Sequence, residues 1–495
     1  MTSKAGFFVA VWAVLLSGAS LGQSNPSARG LPAEVEAALE QAKLPRDALV
    51  AVVQEVGSSA SRVSWQPQKP VNPASLVKLI TTSAALDLLG PAWTWSTPVW
   101  LQGTLQNGVL DGNVHIKGSG DPKLVLERLW LLLRRVQQLG AREIRGDIVL
   151  DRSAFNLAEQ SPGDFDGESL RPYNASADAL LLNYKSVVLT FTPMPGFTPN
   201  KGTATVSADP PLWGVKVDAS LPLSNGPCDD WRSALRADFS DPSRIKLNGS
   251  FIAACGEKQW SVAYADPKTY NPRALVGMWL DMGGKLGGVV RDGAAPVNLA
   301  PTFEVLSPPL AEVVRDINKF SNNVMAQQLF LSLAVAQRGQ GSVETAREVL
   351  REWLTAKLGE RLGDINKSVV IDNGSGLSRD ARVTAQLMAR LLQVVMASPF
   401  MPELLSSLPV SGVDGTLRRS KSPAGRAHLK TGSLRDVMGV AGVVLANSGR
   451  RYVVVAIVNH PNANAARPAL DALVKWAVAG DARAEPAASG TATEQ

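Results

Sequence analysis

Ser75-Leu76-Val77-Lys78 places a hydroxyl and an amine three residues apart. On a helix those positions are neighbours on one face, with Cβ atoms about 5–6 Å apart. A serine hydroxyl becomes a competent nucleophile when a base takes its proton. A lysine amine can be that base once desolvation or a nearby cation keeps it neutral. Leu76, Val77, Leu79 and Ile80 make the surroundings apolar, which suits a dry site. Ser75 also falls at the start of the predicted helix, where the dipole and free N–H groups favour an oxyanion. The pattern by itself is common by chance. Ser243-Arg244-Ile245-Lys246 repeats it beside Pro242 in β-type sequence, where alternation points the two side chains to opposite faces.

Two further groups lie downstream. Ser321-Asn322-Asn323 falls between two helical stretches and is the only S-x-N in the chain; a helix N-cap is the competing reading, since Ser and Asn supply caps routinely. Lys430-Thr431-Gly432-Ser433 precedes a β-hairpin. Its cation and hydroxyls suit a carboxylate, and its glycine lets a ligand backbone approach a strand edge. An ordinary strand end entering a turn is the alternative.

Each group is weak alone, but their order is specific. S-x-x-K, S-x-N and K-T-G in succession resemble the signature set of penicillin-binding proteins and serine β-lactamases. Gly118-Ser119-Gly120-Asp121-Pro122, Asp372-Asn373-Gly374-Ser375-Gly376-Leu377-Ser378-Arg379 and Ser411-Gly412-Val413-Asp414-Gly415-Thr416-Leu417-Arg418 narrow the resemblance. The chain is similar to the D-alanyl-D-alanine carboxypeptidase/endopeptidase family, the low-molecular-mass class C penicillin-binding proteins, over nearly its whole mature length. That family carries an extra pair of domains between the first two motifs, and 246 residues separate Ser75 from Ser321 here.

The resemblance implies an α+β fold: a transpeptidase-like domain of antiparallel sheet flanked by helices, with two inserted, mainly β domains. It implies a periplasmic serine DD-peptidase that cleaves D-Ala from peptidoglycan stem peptides and acts on cross-links. Ser75 would be the acylated nucleophile and Lys78 its base. Ser321 would relay the proton to the leaving amine, and Asn323 would hold the acyl-side amide. Lys430 would supply positive charge, Thr431 and Ser433 would bind the terminal carboxylate, and the N–H groups of Ser75 and Ser433 would form the oxyanion hole. No cofactor or metal is expected, and β-lactams would be covalent inhibitors. Asn373 departs from the family's Asp-Gly-Ser-Gly pattern and borders the cleft, which bears on substrate details. Arg379, Asp164 and Asp166 are left outside the site. A β-lactamase and a catalytically silent wall-binding protein are the competing functions. The first needs a water-activating base for which no residue stands out; the second has no chemical reason to keep all five of Ser75, Lys78, Ser321, Asn323 and Lys430.

The elements that must position these residues follow from texture. Lys4 and the apolar run Ala5–Leu16, then Ser17, Gly18, Ala19 and Ser20, read as a signal peptide at 1–22, cleaved after Ala19 or Gly22. The run is shorter than the ~20 residues a bilayer span needs, so no stable membrane anchor is expected. Export permits a disulfide between Cys228 and Cys255. The catalytic domain is expected at 30–91 and 301–480. It starts with a helix over 32–43, a buried strand over 48–53 and a helix from Ser75 to Leu89, stopped by Gly90-Pro91. Helices recur over 309–336 and 343–358. A hairpin of 440–445 and 452–458 and a helix over 465–478 close the domain. Domain II is placed at 92–184 and 264–300, with one helix at 124–139. A nested β-rich domain III at 185–263 holds both cysteines, and 481–495 reads as a disordered tail.

Composition bounds the rest. Hydrophobic residues make up 45% and charged residues 19% of 495, so the chain is globular. Fifty Lys and Arg against 44 Asp and Glu leave +6, too diffuse to predict nucleic-acid binding. His115, His428 and His460 are scattered without an H-E-x-x-H, which excludes a zincin-type metallopeptidase.

Overall fold

Alternating burial builds the central sheet. Val50 and Val52 point into one apolar cluster, while Leu49, Ala51 and Val53 point into another on the opposite face. Val453, Val455 and Ile457 share the first face, and Val454, Ala456 and Val458 the second. A sheet covered on both sides needs continuous apolar strands, and both runs are of that kind. The five strands run, in spatial order, Ser61–Trp65, Leu49–Glu55, Arg451–Asn459, Val437–Leu445 and Ala427–Leu434, all antiparallel. Helices Ala33–Gln41 and Arg467–Ala479 cover one face. Helices Lys78–Leu89, Leu310–Phe320, Asn323–Arg338, Val343–Leu362 and Ala385–Met396 form the apolar layer on the other side. The computed structural model describes residues 30–194 and 202–480, with the backbone alone for 360–362. The expected signal peptide and polar tail lie outside the described residues.

Between Leu89 and Leu310 the chain builds separate sheets around its own core. The hairpin Ser96–Gln106 and Val109–Lys117 centres a seven-stranded mixed sheet that also takes in Ile148–Asp151 and Val290–Asp292. Phe303–Leu306 pairs antiparallel with Ser96–Val99, so the chain remains in the inserted sheet past the expected return at residue 301. Nested within is a five-stranded sheet that includes Ser186–Pro193, Thr203–Asp209 and Lys258–Ala263, beside a three-stranded one. Cys228 and Cys255 are joined as a disulfide in this unit.

The outer insertion holds a helix that the sequence reading missed, Tyr270–Asp281, besides Leu126–Gln138. Pro272 and Gly277 had masked it. The proline sits in the first turn, where its missing N–H costs nothing. Gly277 is required by packing, since a Cβ there would lie 1.9 Å from the Pro211 carbonyl oxygen.

Candidate active site

The serine of the first motif does not sit inside the α-helix. Ala74–Val77 forms a 3₁₀ turn that runs straight into the helix Lys78–Leu89. In 3₁₀ geometry positions i and i+3 eclipse, which brings Ser75 and Lys78 into line. Ala74 takes a left-handed φ of 47°, and asparagines hold it there. Ala74 N donates to Asn72 Oδ1 at 2.8 Å. Asn459, at the end of the strand Arg451–Asn459, accepts from Asn72 N at 2.7 Å and donates to Asn72 O at 3.0 Å.

Lys78 is fully buried. Its Nζ lies 2.9 Å from Ser75 Oγ and 2.7 Å from Asn323 Oδ1, and it also contacts the Ser375 carbonyl oxygen. Burial pushes its pKa well below the ordinary lysine value, and the neighbouring Lys430 charge lowers it further. A neutral amine has two hydrogens and one lone pair. The Asn323 and Ser375 oxygens can only accept, so they take the two hydrogens and leave the lone pair facing the Ser75 hydroxyl. That is the arrangement of a base beside a nucleophile.

The second motif divides its work. Helix Leu310–Phe320 ends at Ser321, which is left-handed at φ 55°. Asn322 caps the next helix, accepting from Met325 N at 3.0 Å. The cap reading therefore applies to Asn322, while Ser321 and Asn323 turn to the two lysines. Lys430 Nζ donates to Ser321 Oγ at 2.8 Å and to the Thr431 carbonyl at 2.8 Å. Lys430 is also fully buried, and burial lowers its pKa to about 7. Thr431 is half-buried on the strand Ala427–Leu434 and Ser433 is exposed beyond it.

A loop that carries no charge to the site closes the third side. The Asn373 side chain accepts from Ser375 N at 3.1 Å and Ser375 Oγ at 2.9 Å, and donates to Leu377 O at 2.8 Å. This residue, the departure from the family pattern, thus folds its own loop and aims the Ser375 carbonyl at Lys78. Gly376 has φ +83°, and a Cβ there would stand 2.0 Å from the Ala74 carbonyl oxygen. The close approach of this loop to the nucleophile turn needs a glycine.

The structure brings Ser75, Lys78 and Asn323 into one hydrogen-bonded group and Ser321 and Lys430 into a second, near enough for the Lys430 charge to act on Lys78, with Thr431 and Ser433 along the adjoining strand edge. Arg379 stays outside it, paired with Asp436 at 3.0 Å and lying over the Phe165 ring. Asp166 accepts from the Tyr173 hydroxyl and Asn174, and Asp164 from Ser161 N. Among the described residues no group of three or more His, Cys, Asp or Glu could hold a metal ion. The sequence reading missed the Ser375 carbonyl, the Asn72–Asn459 clamp and a contact between the Thr416 and Thr431 hydroxyls at 2.7 Å. A main-chain carbonyl leaves no trace in residue type, and Asn459 lies 387 positions from Asn72.

The D-Ala-D-Ala carboxypeptidase 3 (S13) family matches residues 31–479, almost all of the described chain. The chain belongs to that family. It is a serine-type D-Ala-D-Ala carboxypeptidase. Curated relatives of similar extent include a D-alanyl-D-alanine carboxypeptidase of Actinomadura sp. strain R39, 28% identical over 452 residues (86% of this chain, 80% of the relative). Another is D-alanyl-D-alanine carboxypeptidase DacB of Haemophilus influenzae, 25% identical over 397 residues (78% and 80%). The fold matches a crystal structure of penicillin binding protein 4 from H. influenzae with a TM-score of 0.69, at 22% identity, covering 89% of this chain and 99% of that one. Among the described residues no helix is long and apolar enough to cross a membrane.

Proposed function

We propose that the enzyme removes terminal D-alanine from peptidoglycan stem peptides through an acyl-enzyme on Ser75, on the periplasmic side of the cell envelope. The observation that carries this assignment is Lys78 Nζ, fully buried and 2.9 Å from Ser75 Oγ. Ser75 Oγ attacks the carbonyl carbon of the penultimate residue, and its proton passes to neutral Lys78. The N–H groups of Ser75 and Ser433 hold the oxyanion. Ser321 relays the proton to the leaving amine, so the C–N bond breaks and D-alanine departs. Water then attacks the ester carbonyl, Ser75 recovers a proton, and the shortened peptide leaves as a carboxylic acid.

Asn323 holds the acyl-side amide. Thr431, Ser433 and the Lys430 charge bind the terminal carboxylate. β-Lactams acylate the same serine and leave slowly. The N-terminal export pattern and the Cys228–Cys255 disulfide support an oxidising, extracytoplasmic setting.

Intact-protein mass after brief exposure to benzylpenicillin, beside Ser75→Ala, tests the reading. A stable adduct on the wild type and none on the variant is the expected result. An adduct on both overturns Ser75 as the nucleophile. Drug consumed with no adduct points to a β-lactamase, and drug intact with no adduct to a silent binding protein.

A further inference from the structure

The stretch Ser411–Arg418 has no part in the mechanism above, yet it touches both sides of the second serine–lysine pair. Asp414 accepts from Lys319 Nζ at 2.6 Å, two residues before Ser321, and from Val410 N at 2.8 Å. Lys319 is buried and also donates to the Leu408 carbonyl at 2.6 Å. Nearby charges and these hydrogen bonds hold the Asp414 carboxyl below its usual pKa, against the opposing effect of burial. Thus fastened, the chain enters a single 3₁₀ turn, Gly415–Leu417, anchored by buried Leu417. Its middle residue, Thr416, is exposed, with Oγ1 2.7 Å from Thr431 Oγ1.

We infer that Thr416 is a positioning residue for the carboxylate subsite, acting through the Thr431 hydroxyl and sharpening the preference for substrates with a free C-terminal carboxylate. The inference rests on the reading that Thr431 binds that carboxylate. Each hydroxyl carries one hydrogen. A carboxylate can only accept, so Thr431 must spend its hydrogen on the substrate. Its oxygen keeps two acceptor lone pairs, and the hydroxyl placed to donate to one of them is that of Thr416. The chain from Thr416 to Thr431 to carboxylate runs in one direction, and each bond polarises the next. Without Thr416 the Thr431 hydroxyl is free to rotate away and is a weaker donor. An amide or ester terminus, which lacks the charge, draws less on this chain.

The test compares kcat/KM for an acyl-D-Ala-D-Ala peptide and for its C-terminal amide, in wild type, Thr416→Val and Thr416→Ser. The acid-to-amide ratio should fall about 5-fold in Thr416→Val, through the acid substrate alone, the size of one ordinary hydrogen bond between neutral groups. Thr416→Ser should keep the wild-type ratio. Equal losses on both substrates, or an unchanged ratio in Thr416→Val, overturn the inference while leaving the carboxylate reading of Thr431 intact. A wild-type ratio near one overturns that reading itself, and this inference with it.

Discussion

Ser75-Leu76-Val77-Lys78 and Ser243-Arg244-Ile245-Lys246 share one pattern and have opposite fates. In the first, a 3₁₀ turn aligns the two side chains and the helical layer buries Lys78, which lowers its pKa and favours the neutral amine 2.9 Å from the Ser75 hydroxyl. In the second, Ser243 precedes the strand Arg244–Gly249 and donates to Asp241 at 2.6 Å, while partly exposed Lys246 lies 3.8 Å from Asp238. Spacing is therefore only permission. Local geometry brings the pair together, and burial favours the neutral amine.

The comparison breaks first at the serines. Ser75→Ala should cut peptide turnover by about 10⁴-fold or more, and Ser243→Ala should leave it within about twofold, both read by release of D-alanine. Equal behaviour of the two variants would mean that the setting does not distinguish the two pairs. At the lysines, Lys78→Met should slow acylation about 10³-fold, the usual reach of a general base. Lys246→Met should slow it not at all, as rates of penicilloyl-adduct formation would report.

The charge state of the second pair gives a smaller, pH-dependent effect. Lys430 titrates near 7 when folded and near 10.5 when unfolded. Below about 7 it is an ammonium, which in the proposed mechanism attracts the substrate carboxylate, and above that the charge is lost. On the alkaline side kcat/KM should therefore fall for a free-acid peptide and not for its C-terminal amide; a shared fall would remove Lys430 from carboxylate recognition. Stability has the corresponding sign. As pH drops from about 10.5 to about 7 the unfolded chain takes up this proton and the folded one does not, so folding weakens over that window. Lys430→Met should flatten the dependence in a melting series.

The smallest effect on activity belongs to the cystine, remote from either lysine pair. Replacing Cys228 and Cys255 together by Ser should lower stability by about 3–4 kcal/mol in a denaturant titration and leave D-alanine release unchanged. Thiol titration of the denatured, unreduced wild type should find no free sulfhydryl.

Much of the fold could be read from residue order. The apolar runs at 49–53 and 452–458, with period-2 burial on two faces, declare a doubly covered sheet. The step from Ser75 to Ser321 announces an insertion. The helix Tyr270–Asp281 escaped because its proline and glycine answer to position and to a distant carbonyl, not to helix propensity. In the site, the three motifs were legible because side-chain chemistry is written in residue type. The clamp of Asn459 on Asn72, and the Ser375 carbonyl on Lys78, were not, since each is a contact between distant segments through groups that many residues share.

By itself, the sequence determined which reactive groups exist, their order, and the apolar neighbours that would surround them. The protonation of Lys78, the separation of cap and site duties between Asn322 and its neighbours, and the meeting of Thr416 with Thr431 were decided by tertiary structure alone. Desolvation and hydrogen-bond direction depend on every atom within a few ångströms, and the fold alone brings those atoms together.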